Sequence, residues 1–152
     1  MAFEGQGVRD EGYVASSNVS PLTYTTSNEV LQYSSGGLPY GTACVQDTAT
    51  ANPFDVTAPA AAGAKAVGIV QDYPAVGPGQ AVRVRVAGIC KARAAGAIAY
   101  GDTLYVADTT GRVGTAPAAA SNFVVGRALE AAVAVDDLIT IEVRVSDGKV
   151  AL

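Results

Sequence analysis

The chain has 152 residues, 49% hydrophobic and 16% charged, with 17 glycines and a net charge of −4. That length holds one domain with a real core and an arm, and hardly two independent domains. The 10 Lys and Arg are scattered among 14 Asp and Glu, which excludes the clustered basic surface a nucleic-acid partner requires, and the complete lack of His removes the commonest general base and metal ligand.

Taken in chain order, residues 1–20 mix Gly, Ser and Asn with isolated apolar positions at Phe3, Val8, Tyr13 and Val14. This is the composition of an extended N-terminal arm rather than of a core element. No charged segment precedes an apolar run there, and no stretch approaches eighteen strongly apolar residues, so neither a secretory signal nor a membrane span is expected. The remainder, 21–152, reads as a single β domain. From Pro21 to Tyr33, Thr, Tyr, Val and Leu favour one or two strands, and S-S-G-G-L-P at 34–39 is a turn.

A duplication follows. Residues 40–48, Y-G-T-A-C-V-Q-D-T, are echoed by Y-G-D-T-L-Y-V-A-D-T at 100–109, and the sequence beyond each copy stays similar: A-V-G-I-V at 66–70 against V-V-G-R-A at 124–128. The repeats are placed at about 40–86 and 100–145. A duplicated unit of this size is one supersecondary piece that buries its apolar face against a twin. Inside the first copy, the Pro- and Ala-rich run 49–65 is expected to form a short helix or an irregular flap.

The clearest strands are 80–86 and 138–145. In the former, Val82, Val84 and Val86 alternate with Arg83 and Arg85; in the latter, Ile139, Ile141, Val143 and Val145 alternate with Thr140, Glu142 and Arg144. Period-two alternation of this kind marks half-buried antiparallel strands. Shorter strands at 88–94 and 101–108 complete a pattern of closely spaced strands and turns, that of a small all-β antiparallel barrel or sandwich. Cys44 and Cys90 lie in different strands with no metal-ligand spacing, and two buried reduced thiols are expected rather than a disulfide.

Reactive constellations are not apparent. Asp136 and Asp137 are neighbours, so in extended chain they face opposite ways and serve a turn rather than a catalytic dyad. Asp47 and Asp108 have the setting of Asx turns closing hairpins. V-G-P-G-Q at 76–80 does not match a phosphate loop, and the serine pairs lack a base. No catalytic residue, cofactor or metal is expected. Arg83, Arg85 and Arg144 line outward strand faces, either as a solvated surface or as a subunit interface that includes Glu142.

The run from V-G-I-V-Q-D through V-R-V-R-V-A-G, then G-D-T-L-Y-V-A-D-T-T-G-R-V and V-V-G-R-A-L-E-A-A-V-A-V-D-D-L-I-T-I-E-V-R-V, resembles the capsid cement, or head decoration, proteins of tailed bacteriophages over about residues 66–145. The resemblance implies a β-clip or β-tulip type body without enzymatic activity. It further implies a homotrimer on the outside of a phage head that stabilises the shell, assembled in the host cytoplasm with the major capsid protein as partner. In that setting Phe3, Val8, Tyr13 and Val14 are the expected capsid-binding positions. The alternatives are a trimeric head-fibre or adhesin base and, less favoured, a β-clip nucleotide hydrolase.

Overall fold

A computed structural model describes residues 29–72, 76–115 and 123–145 of the chain, and the regular structure among them is entirely β. Five strands, β1 (Glu29–Ser34), β2 (Ala43–Gln46), β3 (Asp55–Thr57), β4 (Gly68–Val70) and β5 (Ala81–Arg85), close into a barrel in the order β1-β3-β2-β4-β5. Five more, β6 (Ala87–Arg93), β7 (Thr103–Val106), β8 (Val113–Gly114), β9 (Val124–Ala128) and β10 (Leu138–Arg144), form a sheet in the order β6-β10-β9-β7-β8. A single parallel bridge, Ala94 to Val113, brings the two ends of that sheet together.

The two sets are wired alike. In the first, β1 pairs with β5, β5 with β4, β4 with β2 and β2 with β3, all antiparallel, and β3 returns to β1 in parallel. In the second, β6 pairs with β10, β10 with β9, β9 with β7 and β7 with β8, and the single parallel bridge spans the gap between its ends. The same pairing thus begins at Glu29 and again at Ala87, and the echo from Tyr40 and Tyr100 is the middle of a longer unit. The antiparallel expectation is met at every contact except the two closures. A ring with an odd number of strands cannot alternate direction all the way round, so one parallel neighbour is unavoidable.

Matching details extend to single bonds. Gly41 N donates to Val70 O and Gly101 N to Ala128 O, each at 2.9 Å, and both glycines hold a positive φ, of 81° and 92°. The bridge Leu38–Val76 matches the bridge Ile98–Ala132. The alternation in the strongest strands is realised at most positions: Val82 and Val84 are fully buried with Arg83 outward, and Ile139, Ile141 and Val143 point inward from β10, whereas Arg85, expected outward, is largely covered, its side chain 17% exposed against Glu29.

Each ring surrounds its own core. Leu38, Cys44, Val56, Val70, Val76, Val82 and Val84 fill the first. Leu104, Val106, Val113, Val125, Ile139, Ile141 and Val143 are central to the second, which also takes in Ala43, Ala66 and Ile69 from the first ring. Each fully buried Val, Leu or Ile contributes about 2 kcal/mol relative to exposure. Cys44 and Cys90 are both buried and unpaired with each other. The 49–65 run forms no helix: it carries β3 and otherwise turns and irregular chain, and Pro53 and Pro59 each remove a backbone donor within it.

Candidate functional site

The outward strand charges form two separate networks, one on each ring. On the first, Glu29 at the start of β1 reaches both strand arginines, with Arg85 Nη2 at 2.9 Å and Arg83 Nη1 at 3.8 Å. Asp72 holds Arg83 twice, accepting from its Nε at 2.7 Å and from its backbone N at 2.6 Å. The Asp72 carboxylate is the chief reason the Arg83 guanidinium is stabilised in its charged form. On the second ring, Glu142 accepts from Arg144 Nε at 2.9 Å and pairs with Arg127 Nη2 at 3.3 Å, and Arg144 foremost holds its carboxyl below the ordinary range. The four residues proposed from sequence therefore fall into two separate groups, each with ion pairs inside the chain. Phe3, Val8, Tyr13 and Val14 lie outside the described residues.

Glu29, Asp72, Arg127 and Glu130 were not singled out by the sequence pattern, although one signal was present. An acidic residue stands two positions beyond β4 and again two beyond β9. Asp72 and Glu130 do the same work, since Glu130 Oε1 accepts from Thr140 N at 2.8 Å and Thr140 Oγ1 at 2.7 Å, and pairs with Lys91 at 2.9 Å. Those donors, Thr140 Oγ1 first, hold the Glu130 carboxyl down at about 2. Each carboxylate ties the loop after one strand to the backbone of the next.

The remaining acids are turn residues. Asp47 accepts from Ser35 Oγ and from Ala49 N at 2.9 Å, and Asp108 accepts from Thr110 N at 2.9 Å and Arg112 Nε at 2.8 Å. Burial pulls the Asp108 carboxyl upward, but Thr110 and Arg112 outweigh it and the net shift is down. Asp137 accepts from Ala134 N and Val133 N at 2.9 and 2.8 Å, closing the turn in which Asp136 takes a positive φ of 69°. Among the described residues no three His, Cys, Asp or Glu converge as a metal-ligand group. Burial pushes both thiols up to about 12, which leaves them protonated and unreactive at neutral pH.

The distinctive surfaces lie at the junction between the rings. Residues 41–43 are wedged between β6 and the β7–β8 turn: Arg93 N donates to Gly41 O at 2.8 Å, Arg93 Nε to Tyr40 O at 2.9 Å, and Ala43 N to Gly111 O at 2.7 Å. In the first ring the positions matching Arg93 and Gly111 are Tyr33 and Phe54, whose N and O bond directly to each other at 2.9 Å. The wedge is why the first ring is closed and the second only bridged. A shallow crevice lined by Pro39, Thr42, Arg93, Thr110, Arg112 and Asp136 marks this seam. Away from it, large apolar side chains stand exposed: Leu31, Tyr33 and Phe54 on the first ring, and Tyr100, Val133 and Val135 on the second.

Comparison with known proteins identifies one family: the model of the phage cement proteins matches residues 25–145. No curated protein matches the sequence. Among solved structures, the head-fibre N base of bacteriophage phi29 is similar in fold, with a TM-score of 0.58 and 17% identity over 80% of this chain and 96% of that one.

Proposed function

The chain belongs to the phage cement proteins, a family of structural rather than enzymatic members, and is a structural protein of the phage head; from that premise we propose that it decorates the outside of the shell as a homotrimer and stabilises it. The family match over residues 25–145 carries this reading. The surface chemistry supports it. Among the described residues, carboxylates such as Asp47 and Asp108 are engaged in turns, both thiols are buried, and apolar side chains and strand-borne ion pairs stand outward, the material of contact.

In this proposal the partner is the major capsid protein. The arm anchors on it through Phe3, Val8, Tyr13 and Val14, and Arg83, Arg85, Glu142 and Arg144 belong to the rim of subunit contacts. Three arms engaging together convert weak contacts into firm holding through effective concentration. Co-sedimentation with expanded capsids tests the reading: the full chain pellets with the shells and raises their thermal resistance, and deletion of residues 2–14 weakens binding at least tenfold. Undiminished binding by the deletion rejects the arm, and no binding by the full chain rejects the cement role. The likeness to a head-fibre base favours a second reading, the base of a head fibre; electron microscopy separates the two, with low knobs on the shell for cement and projecting filaments for a fibre.

A further inference from the structure

The junction inside the chain has a vacant counterpart on each flank. Register fixes the correspondence: the turn Tyr40–Gly41 of the first ring matches Tyr100–Gly101 of the second, and Arg93, Gly111 and Leu138 of the second match Tyr33, Phe54 and Ala81 of the first. The first turn is covered, since a Cβ on Gly41 would lie 3.1 Å from Leu138 Cδ2 and 3.4 Å from Arg93 Cγ. Its twin is bare. A Cβ on Gly101 would meet nothing within 4 Å, and Tyr100 is 72% exposed.

The receiving side shows the same contrast. Gly111 presses on the wedge so closely that a Cβ would sit 2.4 Å from Ala43 O, whereas the matching Phe54 is 55% exposed beside Tyr33 at 44% and Leu31 at 57%. Among the described residues the chain thus displays one copy of a turn without its receiver and one copy of a receiver without its turn. Leu31 and Tyr33 on the outward face of β1, with Phe54 in the adjoining turn whose carbonyl accepts from Tyr33 N, are large apolar side chains costly to leave in water.

We propose that a second copy of this chain covers these faces head to tail, the Tyr100–Gly101 turn of one copy seating on the Leu31, Tyr33 and Phe54 face of the next. The new contact repeats the direction of the junction already present between the rings. A heterologous contact of this kind closes into a ring when its rotation divides the circle, and a trimer would then present six similar rings in a circuit. The number of copies rests on the trimer proposed above; the contact does not.

The two junctions differ in strength for a visible reason. Ile69, fully buried at the internal seam, is matched by Arg127, which is exposed and paired with Glu142. The tie between Tyr33 N and Phe54 O shuts the slot that receives the internal wedge, so the incoming turn lies on the side chains rather than between strands. The contact between copies is therefore more polar and reversible, where the internal one is permanent.

Light scattering on the full chain, with single variants Phe54→Asp and Tyr100→Asp checked for unchanged circular dichroism, reads the mass. The expected result is three chains for the parent and one for each variant. Disulfide trapping then reads direction: Phe54→Cys and Tyr100→Cys variants mixed under oxidation crosslink to each other, and neither crosslinks to itself, while Cys44 and Cys90 stay buried. Variants that remain trimeric, or self-crosslinking as fast as cross-pairing, overturn this contact and leave the trimer standing. If the parent is a single chain in solution yet the mixed cysteines pair on expanded capsids, the contact stands and the free trimer falls; pairing in neither setting overturns both.

Discussion

Glu130 shows how much one solvent-facing side chain can organise here. Its carboxylate accepts from the Thr140 backbone and hydroxyl and pairs with Lys91, and so pins the loop after β9 against β10 and β6. Because its folded pKa, about 2, lies below the ordinary 4.5, its contribution is fully present above pH 4.5 and is lost as the pH falls towards 2. Glu130→Gln is expected to flatten the decline of unfolding free energy between those limits relative to the parent, measured by urea titration at stepped pH. An unchanged slope would assign that acid sensitivity to Asp47, Asp108, Asp137 and Glu142, whose carboxyls are also held down. Glu130 was legible only in retrospect: its twin, Asp72, sits at the same step of the repeat, but nothing in composition says that an exposed acid will cap a neighbouring strand.

Among the elements, β4 and β9 each need a glycine for close strand approach. A Cβ on Gly68 would fall 2.3 Å from Arg85 O, and one on Gly126 would fall 2.2 Å from Glu142 O, both against backbone that cannot swing aside. Gly126→Ala is expected to cost about 3 kcal/mol in denaturant unfolding, the upper range of overpacking. Gly101→Ala, which meets no neighbour but holds a φ of 92°, should cost about 1 kcal/mol from backbone strain alone. Equal losses at the two sites would mean that β9 and β10 separate easily. Strands β5 and β10 were plain in the sequence because their alternation of valine or isoleucine with charged or polar residues answers to one buried face. The two-residue β8 was not, since Val113–Gly114 is defined by its neighbours β7 and β6 rather than by any pattern of its own.

For the whole molecule, two rings of the same wiring behave as one body because the seam between them is woven rather than merely apposed. Ala43, Ala66 and Ile69 of the first ring belong to the core of the second, and the 41–43 wedge takes hydrogen bonds from one side of its slot and gives them to the other. Calorimetry should therefore show one transition with equal calorimetric and van't Hoff enthalpies. Ile141→Ala in the second ring should lower its stability by about 3 kcal/mol without splitting it. Two resolved peaks would mean that the rings fold independently. The all-β class, the inward faces of the long strands and the turn roles of Asp47, Asp108 and Asp137 were legible in the amino-acid order, because each depends on near neighbours and on the period-two geometry of an extended chain. Folding in three dimensions settles that the strands form two successive sets, that one is a closed barrel while the other is a sheet parted by a wedge, and which of two matching turns is covered. Those outcomes depend on contacts between residues far apart in the chain, such as Arg93 with Tyr40 and Ala43 with Gly111, where similar local sequence meets different surroundings.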